Sequence, residues 1–301
     1  MKKRVHSSSC IGGLVEEYLE SLRARRYSPR SIQTYGDAIR DMIASIGKSD
    51  VREIGRRDLE RYRLSLVDRG FKPASVSVYF RAARLFFRYL EERQVIFENP
   101  AAGHPPIRSA RTLQPVPTED EMRILLAQPD VSTPVGLRDR AILETIYSAG
   151  IRRQETLDLK VGSVDLERGV VRVMGKGQRE RMAPLGPAAV EWLVRYLAEA
   201  RPALAETRSG VALWLGKNGK PLSGAGLQDM LRAYRKAPDI VTLIGLHSIR
   251  RACATHMLRR GASPVTIQML LGHASMEHLS QYLRLSITDI KQAHAASRVG
   301  Q

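Results

Sequence analysis

Five prolines, Pro100, Pro105, Pro106, Pro115 and Pro117, fall within residues 98–117, with Gly103 among them. Proline fixes its own φ and has no N–H to give to a helix or a sheet, so no regular element is expected to run through this stretch. A fairly stiff, extended connector is expected instead. It divides a chain of 301 residues into two parts. That length suits two domains, each large enough to bury a core.

The first part, residues 13–97 after a short extension at 1–12, reads as all-helical. Leu14, Val15, Tyr18, Leu19 and Leu22 recur at helical spacing. Ser28-Pro29 has the form of an N-cap followed by proline at the first helical position. Ile32, Tyr35, Ile39, Met42, Ile43 and Ile46 continue an apolar face that Gly47 ends. Leu59, Tyr62, Leu66 and Val67 make a third stripe closed by Gly70. Val78, Tyr79, Ala82, Phe86 and Leu90 make a fourth, beginning at Ser75. The outward positions hold many arginines, including Arg23, Arg25, Arg26, Arg30, Arg81, Arg84 and Arg88.

The second part, residues 118–301, opens on Thr118 with Glu121, a capping-box pattern. Helical stripes follow through Leu125 and from Leu137 to Tyr147. Val170-Val171-Arg172-Val173-Met174 is β-rich, and Arg179 to Leu185 is a second extended stretch. The two predict a hairpin with Lys176 of Gly175-Lys176-Gly177 at or near its tip. From Pro187 on, the pattern is mainly helical, punctuated at Gly216–Gly219, Gly245, Gly261 and Gly272. The fold class expected is therefore mainly α with a small antiparallel β-sheet.

Charge narrows the partner. Lys and Arg number 48 against 31 Asp and Glu, a net charge of +17. An excess of this size favours a polyanion, and double-stranded DNA fits two domains on a stiff connector that could wrap a duplex from opposite sides. The two cysteines, Cys10 and Cys253, are far apart and lie in no CxxC pattern, so neither a disulfide framework nor a zinc ribbon is expected. A reducing cytoplasm, with the protein on the nucleoid, fits that usage. No apolar run is long enough to span a membrane. Met1-Lys2-Lys3-Arg4 leads into the polar His6 to Ser9 rather than an apolar segment, which is unlike a secretory signal.

Breaking a DNA strand without a metal needs a nucleophile for phosphorus and fixed positive donors for the non-bridging oxygens. It also needs a proton for the departing 5′-oxygen. Arginine suits the oxygens because its planar fork donates two hydrogen bonds and keeps its charge. Lysine and histidine suit proton transfer. The chain supplies such a set in the order Arg152, Lys176, His247, Arg250, His273 and Tyr282. Each alone has an ordinary explanation: a helix-start arginine, a turn lysine, a chance i, i+3 pair, a cap histidine, a core aromatic. Their joint order is what carries weight.

Four stretches carry a family resemblance. They are Tyr147-Ser148-Ala149-Gly150-Ile151-Arg152 with Glu155 and Leu157, and Val170 to Gly177 running on to Arg181 and Pro184-Leu185-Gly186. Then come His247-Ser248-Ile249-Arg250-Arg251 with Ala254-Thr255-His256, and Ile267-Gln268-Met269-Leu270-Leu271-Gly272-His273 with Tyr282 nine residues on. In order and spacing the chain resembles the tyrosine recombinases, or phage integrases, especially Xer-like and mobile-element members. The helical first part resembles their SAM-like core-binding domain, and the second their mixed α/β catalytic domain.

The resemblance implies a site-specific recombinase that acts through a 3′-phosphotyrosine and a Holliday junction, without metal, ATP or any small-molecule cofactor. Tyr282 would be the nucleophile, and Arg152 and Arg250 the phosphate clamp. Lys176 would protonate the leaving 5′-hydroxyl. His247 would assist proton transfer, and His273 would hold the phosphate. Glu155 would support the arginines. Four copies would assemble on two DNA sites, alone or with a paralogous recombinase, and a helical tail after Tyr282 would dock on a neighbouring copy.

Two departures stand out. His278-Leu279-Ser280-Gln281 replaces a Thr-Thr pair common before the nucleophile, and Arg251 stands where many relatives have histidine. Rival readings remain: a metal nuclease using Asp139, Asp158 and Asp165, or a zinc protein using His247, His256, His273 and His278. A non-catalytic DNA binder on this fold and a type IB topoisomerase are the others. The metal readings lack ligand spacing, and the filled catalytic set argues against the non-catalytic one.

Overall fold

A computed structural model of the chain describes residues 10–103, 115–175, 180–207 and 209–272. The chain divides into two compact units, Met1–Thr112 and Leu113–Gln301.

Among the described residues the first unit holds four α-helices, α1 (Ile11–Ala24), α2 (Pro29–Ile46), α3 (Arg56–Asp68) and α4 (Pro73–Glu92), with a short 3-10 turn at Val51–Glu53. Ser28 caps α2, its hydroxyl accepting the Ser31 N–H at 3.2 Å, and Pro29 occupies the first helical position. Gly47 ends the helix with φ +71°, the left-handed conformation that a side chain resists. Leu14, Val15, Tyr18, Leu19 and Leu22 all face the core, where the Tyr18 ring meets Phe86 edge-on at 5.5 Å. Phe86 and Phe87 are fully buried, each worth roughly 1.5–3 kcal/mol over exposure.

Two expected core positions are on the surface: Val67 is 54% exposed and Val78 39%. In α3 the inward stripe is Leu59, Tyr62 and Leu66, and Val67 lies 100° past it. In α4 the stripe runs Val76, Phe80, Ala83, Phe87 and Leu90. Val78 sits two residues from Val76 and from Phe80, on the opposite side.

Both described ends of the proline-dense stretch are tied down. Asn99 and Ala101 are buried in the first unit, where Asn99 donates to the Arg84 carbonyl at 3.2 Å. In the second unit the Pro115 carbonyl accepts from Arg251 at 3.0 Å and the Pro117 carbonyl from His256 at 3.0 Å.

The second unit is built around α6 (Pro134–Ala149), buried on most of its faces. Before it comes α5 (Glu119–Ala127), opened by the Thr118–Glu121 capping box. After it come α7 (Arg153–Leu157) and a three-stranded antiparallel sheet in the order β1 (Val164–Asp165), β2 (Val170–Met174), β3 (Glu180–Pro184). The strand β1 is too short for its two residues to show a periodic signal. In the hairpin Val171 pairs with Ala183 and Val173 with Arg181. These four therefore share one face, the face on which Val171, Val173 and Ala183 are buried.

Helix α8 (Pro187–Arg195) runs through a π-helical turn into α9 (Arg201–Leu204). Then come α10 (Gly224–Tyr234), α11 (Leu246–Arg259) and α12 (Pro264–Leu271). Among the described residues no helix is long and apolar enough to cross a membrane.

Candidate active site

Helix α6 stops at Gly150, whose φ of +57° turns the chain sharply; Ile151 is buried behind the turn and Arg152 follows as the N-cap of α7. Glu155, in the first turn of α7, reaches back. Its Oε2 accepts the Arg152 backbone N–H at 2.8 Å and its Oε1 accepts from the Arg152 guanidinium at 2.7 Å. Glu155 is 5% exposed, whereas the Arg152 side chain is 41% exposed. The carboxylate is thus interior, and the guanidinium it steers faces solvent.

Arg250 enters from α11 and is only 2% exposed. It donates to the Leu271 carbonyl at 2.6 Å and to the Gly150 carbonyl, and its Nη1 lies 3.8 Å from Glu155 Oε2. Arg152 also donates to the Gly272 carbonyl, at 3.3 Å. The two arginines, 98 positions apart in sequence, therefore share Glu155 and adjacent carbonyls at the end of α12.

A third guanidinium joins them. Arg181 on β3 forks onto Glu155, Nη1 to Oε1 at 2.9 Å and Nη2 to Oε2 at 2.8 Å, while its Nε donates to the Leu270 carbonyl at 3.2 Å. Burial alone would raise the Glu155 pKa. The Arg181 hydrogen bonds, then the Arg152 backbone and side-chain bonds, outweigh it and hold the carboxyl down at about 2.

Helix α12 ends in the left-handed Gly272 (φ +59°), and its last carbonyls, Leu270, Leu271 and Gly272, each take an arginine from a different element. These are orphan acceptors of a helix C-terminus, where positive charge is favoured.

His247 lies on the first turn of α11, three residues before Arg250 and so on the same face. It is exposed. The desolvation its ring does experience, with the charges of Arg251, Arg250 and Arg152, pushes its pKa below the usual histidine value. The shift favours the neutral ring, the form that can accept a proton.

On the same helix His256 is buried. Its Nε2 must carry the proton it donates to Pro117, so Nδ1 accepts from the Tyr147 hydroxyl at 2.8 Å. That bond set makes His256 a structural brace of α11 rather than a ligand.

The structure thus brings Arg152, Arg250 and Glu155 together and places His247 within reach of their field. Lys176, His273, Tyr282 and the tail after it lie outside the described residues. Arg181 went without a role in the sequence. The available signal was alternation: with Ala183 inward, Arg181 is inward too, and an inward charge on a sheet needs a partner.

The acidic residues of the metal-nuclease reading do not converge. Asp139 is bound by Arg138 and Tyr234, Asp158 by Gln154, and Asp165 lies in β1. Among the described residues no group of three or more His, Cys, Asp or Glu is arranged to hold a metal.

Comparison with known proteins matches residues 116–288 to the model described as "Phage integrase family", and residues 14–96 to "Phage integrase, N-terminal SAM-like domain". The chain belongs to the phage integrase family of tyrosine recombinases. This tyrosine recombinase is 33% identical to tyrosine recombinase XerC of Pelotomaculum thermopropionicum, over 94% of this chain and 97% of that protein. It is 30% identical to tyrosine recombinase XerD of Pseudomonas aeruginosa, over 94% and 96%.

Solved structures share its fold, two of them as follows. XerH site-specific recombinase bound to palindromic difH substrate superposes with a TM-score of 0.77 at 21% identity, covering 93% of this chain and 83% of that one. A lambda integrase(75–356) dimer bound to a COC′ core site gives 0.73 at 20% identity, covering 91% and 95%.

Proposed function

We propose that this recombinase cuts and rejoins double-stranded DNA at specific sites, with Tyr282 as nucleophile. The Tyr282 oxygen attacks the scissile phosphorus, a 3′-phosphotyrosyl bond forms and the bond to the 5′-oxygen breaks. Lys176 gives that oxygen a proton, and neutral His247 takes up the proton released from the tyrosine. Arg152 and Arg250 donate to the non-bridging oxygens, whose charge grows in the transition state. His273 adds a further hydrogen bond to the phosphate.

The phosphotyrosyl bond conserves the energy of the diester, so a 5′-hydroxyl from a second duplex can reverse the step without ATP. Two guanidinium groups supply the charge stabilisation that a metal supplies in other strand-breaking enzymes. The observation that carries this reading is the convergence of Arg152 and Arg250 on Glu155 and on consecutive carbonyls of one helix end.

Strand exchange between two sites calls for four copies and a Holliday junction intermediate. In support, one solved structure of the same fold is a lambda integrase tetramer bound to a Holliday junction, with a TM-score of 0.74.

The test is a nicked suicide duplex carrying a sequence the protein selects from a random pool, incubated in EDTA with wild type and with Tyr282→Phe. Wild type should give a protein–DNA adduct on a denaturing gel. Tyr282→Phe should bind equally and give none, because only the hydroxyl is lost. Binding without an adduct in wild type would favour a non-catalytic DNA binder. Relaxation of supercoiled plasmid lacking paired sites, with no strand exchange, would favour topoisomerase-like action.

A further inference from the structure

The phosphate clamp has two arginines, yet three surround Glu155. We propose that Arg181 is a positioning residue for the strand-transfer reaction, acting through Glu155 and the end of α12 on Arg152 and Arg250. This rests on the reading of those two arginines as the phosphate clamp.

Three observations carry it. First, Arg181 uses its whole fork on the protein: both Nη atoms bind Glu155 and Nε binds Leu270. Its side chain is 15% exposed. Second, it sits on the buried face of the sheet opposite Val173, where a guanidinium is costly unless fully bonded. Removing one partner of a buried ion pair leaves the other charge less well paired and is destabilising, so a role in the reaction must be read from a ratio of rates that a loss of folded protein does not move. Third, its two partners are the groups that hold the clamp. Glu155 grips Arg152 and lies 3.8 Å from Arg250, and the carbonyls next to Leu270 receive the same two arginines.

The electrostatics give the role a direction. Glu155 with Arg152 and Arg250 alone would sum to +1, and the carboxylate would compete with the phosphate for both guanidiniums. Arg181 raises the sum to +2 and occupies both carboxylate oxygens through a bidentate fork, the strongest geometry open to this pair. The clamp keeps its charge for the DNA. The Leu270 bond also ties β3 to the end of α12.

The test compares single-turnover cleavage of two nicked duplexes. One carries an ordinary scissile phosphodiester. In the other a methyl group replaces a non-bridging oxygen, making that centre neutral and less dependent on positive charge. Arg181→Met should bind DNA as wild type does and cleave the ordinary diester about 100-fold more slowly, the scale of a misplacement near 1 Å. It should lose much less on the methylphosphonate, so the ratio of the two rates falls at least about 10-fold. Arg181→Lys keeps the charge without the fork and should fall between.

A role confined to folding would slow both substrates alike in proportion to the folded fraction; an unchanged ratio in a folded variant would overturn the proposal. If Arg181→Met fails to fold, Arg181→Lys decides by the same ratio. No adduct from wild type on the ordinary duplex would overturn the clamp reading itself, a result distinct from an active wild type with an unchanged ratio.

Discussion

A carboxyl group among three guanidiniums is stabilised by ionising, and the pH range of that gain can be assigned for Glu155. Its folded pKa, about 2, lies below the ordinary 4.5. The contribution is therefore fully present above about pH 4.5 and is lost as pH falls toward 2. A shift of this size corresponds to on the order of 3 kcal/mol. Glu155→Gln should thus unfold at lower denaturant than wild type at pH 7, and the gap should narrow steadily below pH 4.5; a gap constant from pH 7 to pH 3 would refute the assignment.

His247 shifts the same way for a different reason, its imidazolium being disfavoured by partial desolvation of the ring and by the arginines around it. If it accepts the tyrosine proton, the acid limb of the cleavage rate should lie below pH 6.5, the ordinary histidine value, and should vanish in His247→Ala. At this scale the sequence was partly legible. Arg152 and Arg250 could be picked out by type and order, and Glu155 by the family resemblance. That Arg181 completes the set depended on which face of β3 turns inward and on α12 lying across it, and no local pattern states the second.

Elements were legible where their signals are local. Ser28-Pro29, Gly47 and the Thr118–Glu121 box cap the helices they were expected to cap, because a cap involves residues within one turn. The surface positions of Val67 and Val78 were not legible, because an apolar residue beside a stripe reads as part of it: one lies 100° past Leu66 and the other opposite Val76 and Phe80.

Gly150 joins the two kinds of information. Its φ of +57° is a local requirement, but a Cβ there would also lie 2.8 Å from Leu271 Cδ2 and 3.3 Å from Cys253 Sγ, and its carbonyl receives Arg250. Gly150→Ala should lower unfolding stability by about 1–3 kcal/mol, and the shift of its carbonyl should slow adduct formation beyond any loss of folded protein. Gly47→Ala is the control: it shares the strained φ, meets nothing within 4 Å and lies in the other unit. It should cost less stability, about 1 kcal/mol for the strained φ alone, and leave the adduct rate of folded protein unchanged.

For the whole molecule the governing facts are a net charge of +17 and two units with separate hydrophobic cores. Each core is closed within its own unit, so residues 10–103 expressed alone should melt cooperatively, as a circular dichroism melt would show. The charge predicts how DNA binding responds to salt. A surface that neutralises six or more phosphates loses roughly 10³-fold or more in affinity between 50 and 200 mM salt. If both units grip one duplex, the slope of log K against log salt for the intact chain should approach the sum of the slopes of the fragments 10–103 and 115–301. Its affinity should also exceed that of either fragment by about 10²–10⁴-fold, because the second contact becomes intramolecular. Equal affinity and slope for the intact chain and one fragment would mean that a single unit carries the duplex, and the division marked by the prolines of residues 98–117 would then serve something other than DNA binding.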